Sequence, residues 1–172
     1  MCELTAGYTK PTCASTGGTK SVIVYNTENQ TAITIASNVV SALTVTAGKA
    51  FRITPDMASI DFTETVTRSR ENNSIFYAST CAITLKDDTQ ATRDLVDLIS
   101  KGFITIIQEK ENGKNLVAGN NLVYGSENGM TVDTSAITTG MNYEDLNGVV
   151  ISLVGKESYI APKIDNATLP TV

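Results

Sequence analysis

The chain has 172 residues, 41% of them hydrophobic and 18% charged, with a net charge of −5 and neither histidine nor tryptophan. One domain of that length buries a core without disulfide or metal staples, and the missing histidine excludes Ser-His-Asp and Cys-His catalysis. The acidic balance argues against nucleic-acid binding by phosphate neutralisation, since the densest cationic patch is Arg68-Ser69-Arg70.

The first nineteen residues are rich in Thr, Ser, Gly and Pro and read as an irregular N-terminal arm, placed to lie on a neighbouring copy. They contain two of the three cysteines, Cys2 and Cys13, which can pair only outside a reducing compartment. No Cys-x-x-Cys is present, so no zinc site is expected. Residues 20–165 read as a single β domain. Lys20 to Tyr25 predicts a short strand, Asn26 to Gln30 a turn, and Thr31 to Ala36 an alternating strand with Ile33 and Ile35 inward. Val39 to Thr46 and Ala50 to Thr54 predict two further strands, separated by Gly48.

Ile60 to Arg68 is the cleanest alternation in the chain. Ile60, Phe62, Glu64, Val66 and Arg68 share one face, and Asp61, Thr63, Thr65 and Thr67 share the other. Asp61 and Glu64 therefore cannot act on one substrate. Ser74 to Lys86 predicts the answering strand, with Ile75, Tyr77, Cys81, Ile83 and Leu85 on one side, and Cys81 as a buried thiol. Arg68, Ser69, Arg70, Glu71, Asn72 and Asn73 form the charged loop of this long hairpin. They are the candidate functional residues, because a charged loop that projects from a rigid scaffold is suited to contact a partner.

Asp88 to Lys101 predicts the one α-helix. Asp87 or Asp88 would cap it, with Gln90 completing a capping box after Asp87. Ala91, Leu95, Leu98 and Ile99 would form its apolar stripe, Arg93 and Asp97 an i,i+4 pair, and Gly102 the stop. Beyond it the turn signals repeat. Phe103 to Lys110 and Asn115 to Ala118 flank Asn112-Gly113. Asn121 to Tyr124 and Met130 to Asp133 flank Asn128-Gly129, and Asn147-Gly148 opens a strand reaching Gly155. Asn-Gly between apolar runs favours type I′ hairpins, because both residues accept positive φ. Thr134 to Met141 reads as loose. Glu144-Asp145 reads as a solvated turn, since it lacks the spaced oxygen ligands of a calcium loop. Residues 166–172 read as a flexible, extended or disordered C-terminal tail.

Asn112-Gly113-Lys114, Leu122-Val123-Tyr124-Gly125, Glu127-Asn128-Gly129-Met130, Asp145-Leu146-Asn147-Gly148 and Ser152-Leu153-Val154-Gly155-Lys156-Glu157 follow one another in an order that resembles the C-terminal half of tail tube (major tail) proteins of tailed bacteriophages, of the Bacteroidetes-phage type. The likeness is clearest from Ile60 onward. It implies a mainly β fold, an antiparallel sandwich or barrel with one flanking helix. It also implies assembly into stacked hexameric rings, with other tail or neck proteins as partners and a lumen that DNA crosses without specific binding. No catalytic residue, cofactor or metal is carried over. The implied location is the virion tail, after synthesis in the host cytoplasm; no charged leader with an apolar stretch is seen at the start, and no apolar run nears the ~20 residues of a membrane span.

Other readings of the same residues are a head–tail joining, neck or capsid decoration protein of the same virion, and a carbohydrate-binding adhesin. The adhesin is disfavoured by the lack of tryptophan platforms. An enzyme is a remote fourth reading. Asn166-Ala167-Thr168 matches a glycosylation sequon through composition alone.

Overall fold

A computed structural model describes residues 18–54, 59–86, 88–110, 121–140 and 145–172. Cys2, Cys13, Asp87, Asn112-Gly113, Asn115 to Ala118, Glu144 and nearly all of the N-terminal arm lie outside the described residues. The strands are β1 (Thr19–Asn26), β2 (Gln30–Ala36), β3 (Val39–Val45), β4 (Phe51–Ile53), β5 (Ile60–Ser69) and β6 (Ser74–Lys86), followed by helix α1 (Gln90–Ser100). Then come β7 (Ile104–Lys110), β8 (Asn121–Tyr124), β9 (Met130–Thr138), β10 (Gly148–Glu157) and β11 (Lys163–Ile164). The described chain is thus mainly β with one α-helix, as the sequence predicts.

The strands form one sheet in the order β2-β3-β11-β8-β7-β9-β10-β6-β5, with β1 paired along β7 and β4 along β1. One described pair, β11 with β3, is parallel, so the sheet is mixed. The sheet forks at β7. Ile106 to Gln108 pair with β8, whereas Ile104 pairs with Met130 of β9.

Both faces of the central strands are covered. Val22 and Val24 of β1 join Ile104 and Ile106 of β7 in one apolar cluster with β6, β10 and α1. Ile23 and Tyr25 join Ile107 of β7 and Val123 of β8 in a second cluster, against β3 and β11. Two-sided burial explains why β1 reads Val22-Ile23-Val24 without alternation. The outcome is sandwich-like, with β1, β7 and β8 as a wall shared by two cores. Each fully buried aliphatic side chain contributes about 1.5–3 kcal/mol, and Ile23, Ile83, Ile106 and Ile107 are all fully enclosed.

Several local expectations are corrected. Thr89, not an aspartate, is the N-cap of α1, its side chain accepting a hydrogen bond from the Thr92 amide. Asp88 instead accepts from the Arg93 guanidinium at 2.7 Å, which holds its carboxyl below the usual range. The expected Arg93–Asp97 pair is replaced by Arg93–Asp88 and Lys101–Asp97. Val96 and Ile99 are the buried residues of the helix, with Leu95 packed beside them, whereas Ala91 is exposed and Leu98 is 67% exposed.

β9 runs on to Thr138 because β10 pairs with its whole length, with an irregularity between Ser152 and Leu153. β8 and β9 are not neighbours in the sheet, so Asn128-Gly129 carries the chain between the two branches of the fork. Gly148 is already paired opposite Lys86 and Thr138, so Asn147-Gly148 is a strand entry, not a two-residue turn. The C-terminal residues form a short 3-10 turn at Asn166–Thr168. Asn121 Nδ2 donates to Asn166 Oδ1 at 2.6 Å, and Leu169 packs on the second cluster.

Candidate functional site

The predicted hairpin forms with the alternation intact. β5 and β6 pair from Ile60↔Ile83 to Ser69↔Ser74, and Arg70 to Asn73 close the turn. Asn73 has φ of 49°, a left-handed conformation that asparagine tolerates. Ser69 Oγ accepts from the Asn72 amide at 3.4 Å. Arg68, Arg70, Glu71, Asn72 and Asn73 are exposed and Ser69 is half-buried, so all six candidate residues share one projecting tip.

The arm that carries this tip is longer than the loop alone. β10 pairs with β6 only as far as Glu157↔Tyr77. Past that point β5 and β6 run on as a two-stranded ribbon, about 10 Å of strand before the turn at ~3.3 Å per residue. The inward face of β5 and β6, which holds Ile60, Cys81 and Ile83 in the core, continues through Val66, opposite Tyr77 where β10 stops pairing, to Ile75 on the ribbon. Val66 and Ile75 are 59% and 48% exposed. The pattern that builds a core thus extends where the protein itself offers no covering sheet. On the other face Lys156 lies over the Phe76 ring, 5.2 Å from its centroid.

The root of the arm is fastened by carboxylates. Glu64 accepts from the Ala161 amide at 2.8 Å, and Phe62 stacks on Tyr124 with centroids 4.7 Å apart. Glu157 accepts from the Glu127 amide at 2.8 Å, while Glu127 accepts from the Ser158 amide at 2.9 Å and hydroxyl at 2.6 Å. The two hydrogen bonds from Ser158 hold the Glu127 carboxyl below its ordinary range. Burial pushes Glu157 the other way, aided by the nearby charges of Glu127 and Glu64. Cys81 is fully enclosed, and burial pushes its thiol far up, so it is inert as a nucleophile. Asp61 is exposed while Glu64 is half-buried, on opposite faces as the alternation requires. Among the described residues no group of three or more His, Cys, Asp or Glu is placed to hold a metal ion, and no helix is long and apolar enough to cross a membrane.

A second surface was not legible in the sequence. An apolar groove of about 380 Å³ lies between α1 and β1–β4, lined among others by Val24, Phe51, Leu95, Leu98 and Ile99, with Lys49 at its side. Phe51 and Leu98 are 59% and 67% exposed. Leu98 fits a helical stripe by spacing, but only the packing of α1 decides which side of that stripe meets the core. For the arm a signal did exist: Val66 and Ile75 come within a few residues of a charged turn, farther out than a core strand needs.

Comparison of the chain with protein-family models, with curated proteins and with solved structures returned no match.

Proposed function

We propose that this protein is a structural subunit that joins copies of itself, and that it serves as a tail tube subunit of a tailed phage, forming stacked rings through which DNA passes. The observation that carries this reading is the β5–β6 arm, which holds Val66 and Ile75 out from the body on the face that is core elsewhere. An apolar pair on a projecting ribbon costs solubility unless a partner covers it.

Two further features support the reading. The sheet path ends on β2 and β5, and β2 (Gln-Thr-Ala-Ile-Thr-Ile-Ala) carries no charge. Charged residues guard many open edges against unwanted pairing; β2 lacks them, although its ladder with β3 is irregular at two places, and pairing with another copy removes the need. The outer face of β5, β6 and β10 also carries a row of small side chains, Thr63, Thr80 and Val154, followed by Asp61, Ala82 and Ser152. Apart from Lys156 one row on and Lys86 at the far end, these rows offer phosphates few contacts, which suits a wall that DNA slides past.

Sedimentation velocity and negative-stain microscopy of the full chain, over a concentration series, test this. Rings that stack into tubes of growing length are the expected outcome. Single rings that never stack would mark a joining or neck part instead, and a monomer at every concentration would refute self-assembly.

A further inference from the structure

We infer that the groove between α1 and β4 is the receptor for the β5–β6 arm of a second copy, an assignment that rests on the self-assembling reading above and names the two surfaces that meet. The arm and the groove share no residue, which is the condition for a heterologous contact that propagates from copy to copy.

The apolar parts match in kind. The arm presents Val66 and Ile75, and the groove presents Phe51 and Leu98, all four among the large apolar side chains left exposed. The groove's volume of about 380 Å³ lies near the lower end of the roughly 300–1,000 Å³ that binding clefts enclose, a scale suited to a few aliphatic side chains on a narrow ribbon.

The charges match in sign and number. At the arm's tip Arg68, Arg70 and Glu71 form no ion pair with any described residue. Around the groove the same is true of Glu28, Asp94 and Lys49. Glu28 stands between Asn26 and Asn29, which line the groove, and Asp94 precedes Leu95. Asp94 accepts only from the neutral Gln90 amide, at 2.7 Å. Two cations and one anion on the arm thus face two anions and one cation on the receptor. Charge inversion of this kind sets register and excludes wrong pairings. It also explains why the tip carries arginine at both cationic positions, since the guanidinium fork grips a carboxylate with fixed geometry.

The test uses the full chain with Cys2→Ser and Cys13→Ser, leaving Cys81 buried. Copies with Ile75→Cys are mixed with copies carrying Leu98→Cys under mild oxidation, and Thr63→Cys copies serve as the control partner. Separately, Arg68→Glu with Arg70→Glu is expected to weaken association by roughly tenfold or more, and to regain it when mixed with copies bearing Glu28→Arg and Asp94→Arg. Disulfide-linked dimers from the first mixture, well above the control, together with charge rescue, support the assignment. Assembled particles with neither crosslink nor rescue would overturn the groove while leaving self-assembly standing. In a parallel sample that keeps native Cys2 and Cys13, an intrachain crosslink from Leu98→Cys to either of them would show the N-terminal residues in the groove and would equally overturn it. Absence of particles removes both readings together.

Discussion

Glu157 is only 4% exposed and faces Tyr25 from β1, Glu64 from β5, Glu127 from the β8–β9 connection and Tyr159 beyond β10, with no cation among these groups. Its carboxyl is therefore harder to ionise in the fold than in the unfolded chain, where it titrates near about 4.3. A raised folded-state value makes its contribution to stability full below the unfolded value and lost as pH rises through the folded one. Glu127, lowered by Ser158, contributes with the opposite sign: its stability is present above the unfolded value and lost as pH falls. Glu157→Gln keeps an acceptor for the Glu127 amide and removes the buried charge. The expected result is that the Tm advantage of Glu157→Gln over the parent, measured by thermal unfolding, shrinks as pH is lowered from 7 toward 5. An advantage that stays constant or grows on acidification would show that this charge is not buried at a cost. Gly148 makes a different demand. A Cβ there would lie 2.1 Å from the Leu85 carbonyl oxygen, so any side chain forces β6 and β10 apart. Gly148→Ala is expected to cost about 1–3 kcal/mol in urea unfolding, and a neutral result would refute the close approach. The sequence suggested Gly148 as a turn residue, because spacing after asparagine is visible in one dimension and proximity to β6 is not.

At the scale of elements, the strands that alternate were legible and those buried on both sides were harder to place. β5 and β6 emerge with the predicted faces, since each strand has one dry and one wet side and period two records it. β9 extends past the predicted Met130 to Asp133, because Thr134 to Thr138 carry little apolar signal; their order comes from backbone pairing with β10, which residue type does not report. Helix α1 was found, but its cap was not. Thr89, Asp88 and Asp87 are all competent caps, and the choice fell to Thr89 because Arg93 engages Asp88. Thr89→Ala is therefore expected to destabilise by about 1 kcal/mol. Asp97→Ala, which removes one exposed pair with Lys101, should change stability by no more than about 0.5 kcal/mol. Chemical denaturation of the two variants decides, and a larger effect at Asp97 would reverse the assignment.

At the scale of the whole molecule, the forked sheet separates what holds the fold from what is left over. Both cores are built around β1, β7 and β8, and the end of the arm lies outside either of them. Val66 and Ile75 are 59% and 48% exposed, so replacing them removes less buried area than a core substitution would. Surface changes of that kind usually shift stability by less than about 0.5 kcal/mol. The same two side chains, if they are covered in an assembly, should matter to association far more than to folding, as anchors at the centre of an interface do. Val66→Ser with Ile75→Ser thus separates the two roles. Its unfolding midpoint, measured on dilute protein to keep copies apart, is expected to match the parent. Its sedimentation at high concentration is expected to lack the fast-moving species that the proposed self-assembly gives the parent. A variant that unfolds early yet still associates would mean that the ribbon braces its own domain, and that copies meet elsewhere, along the uncharged edge of β2.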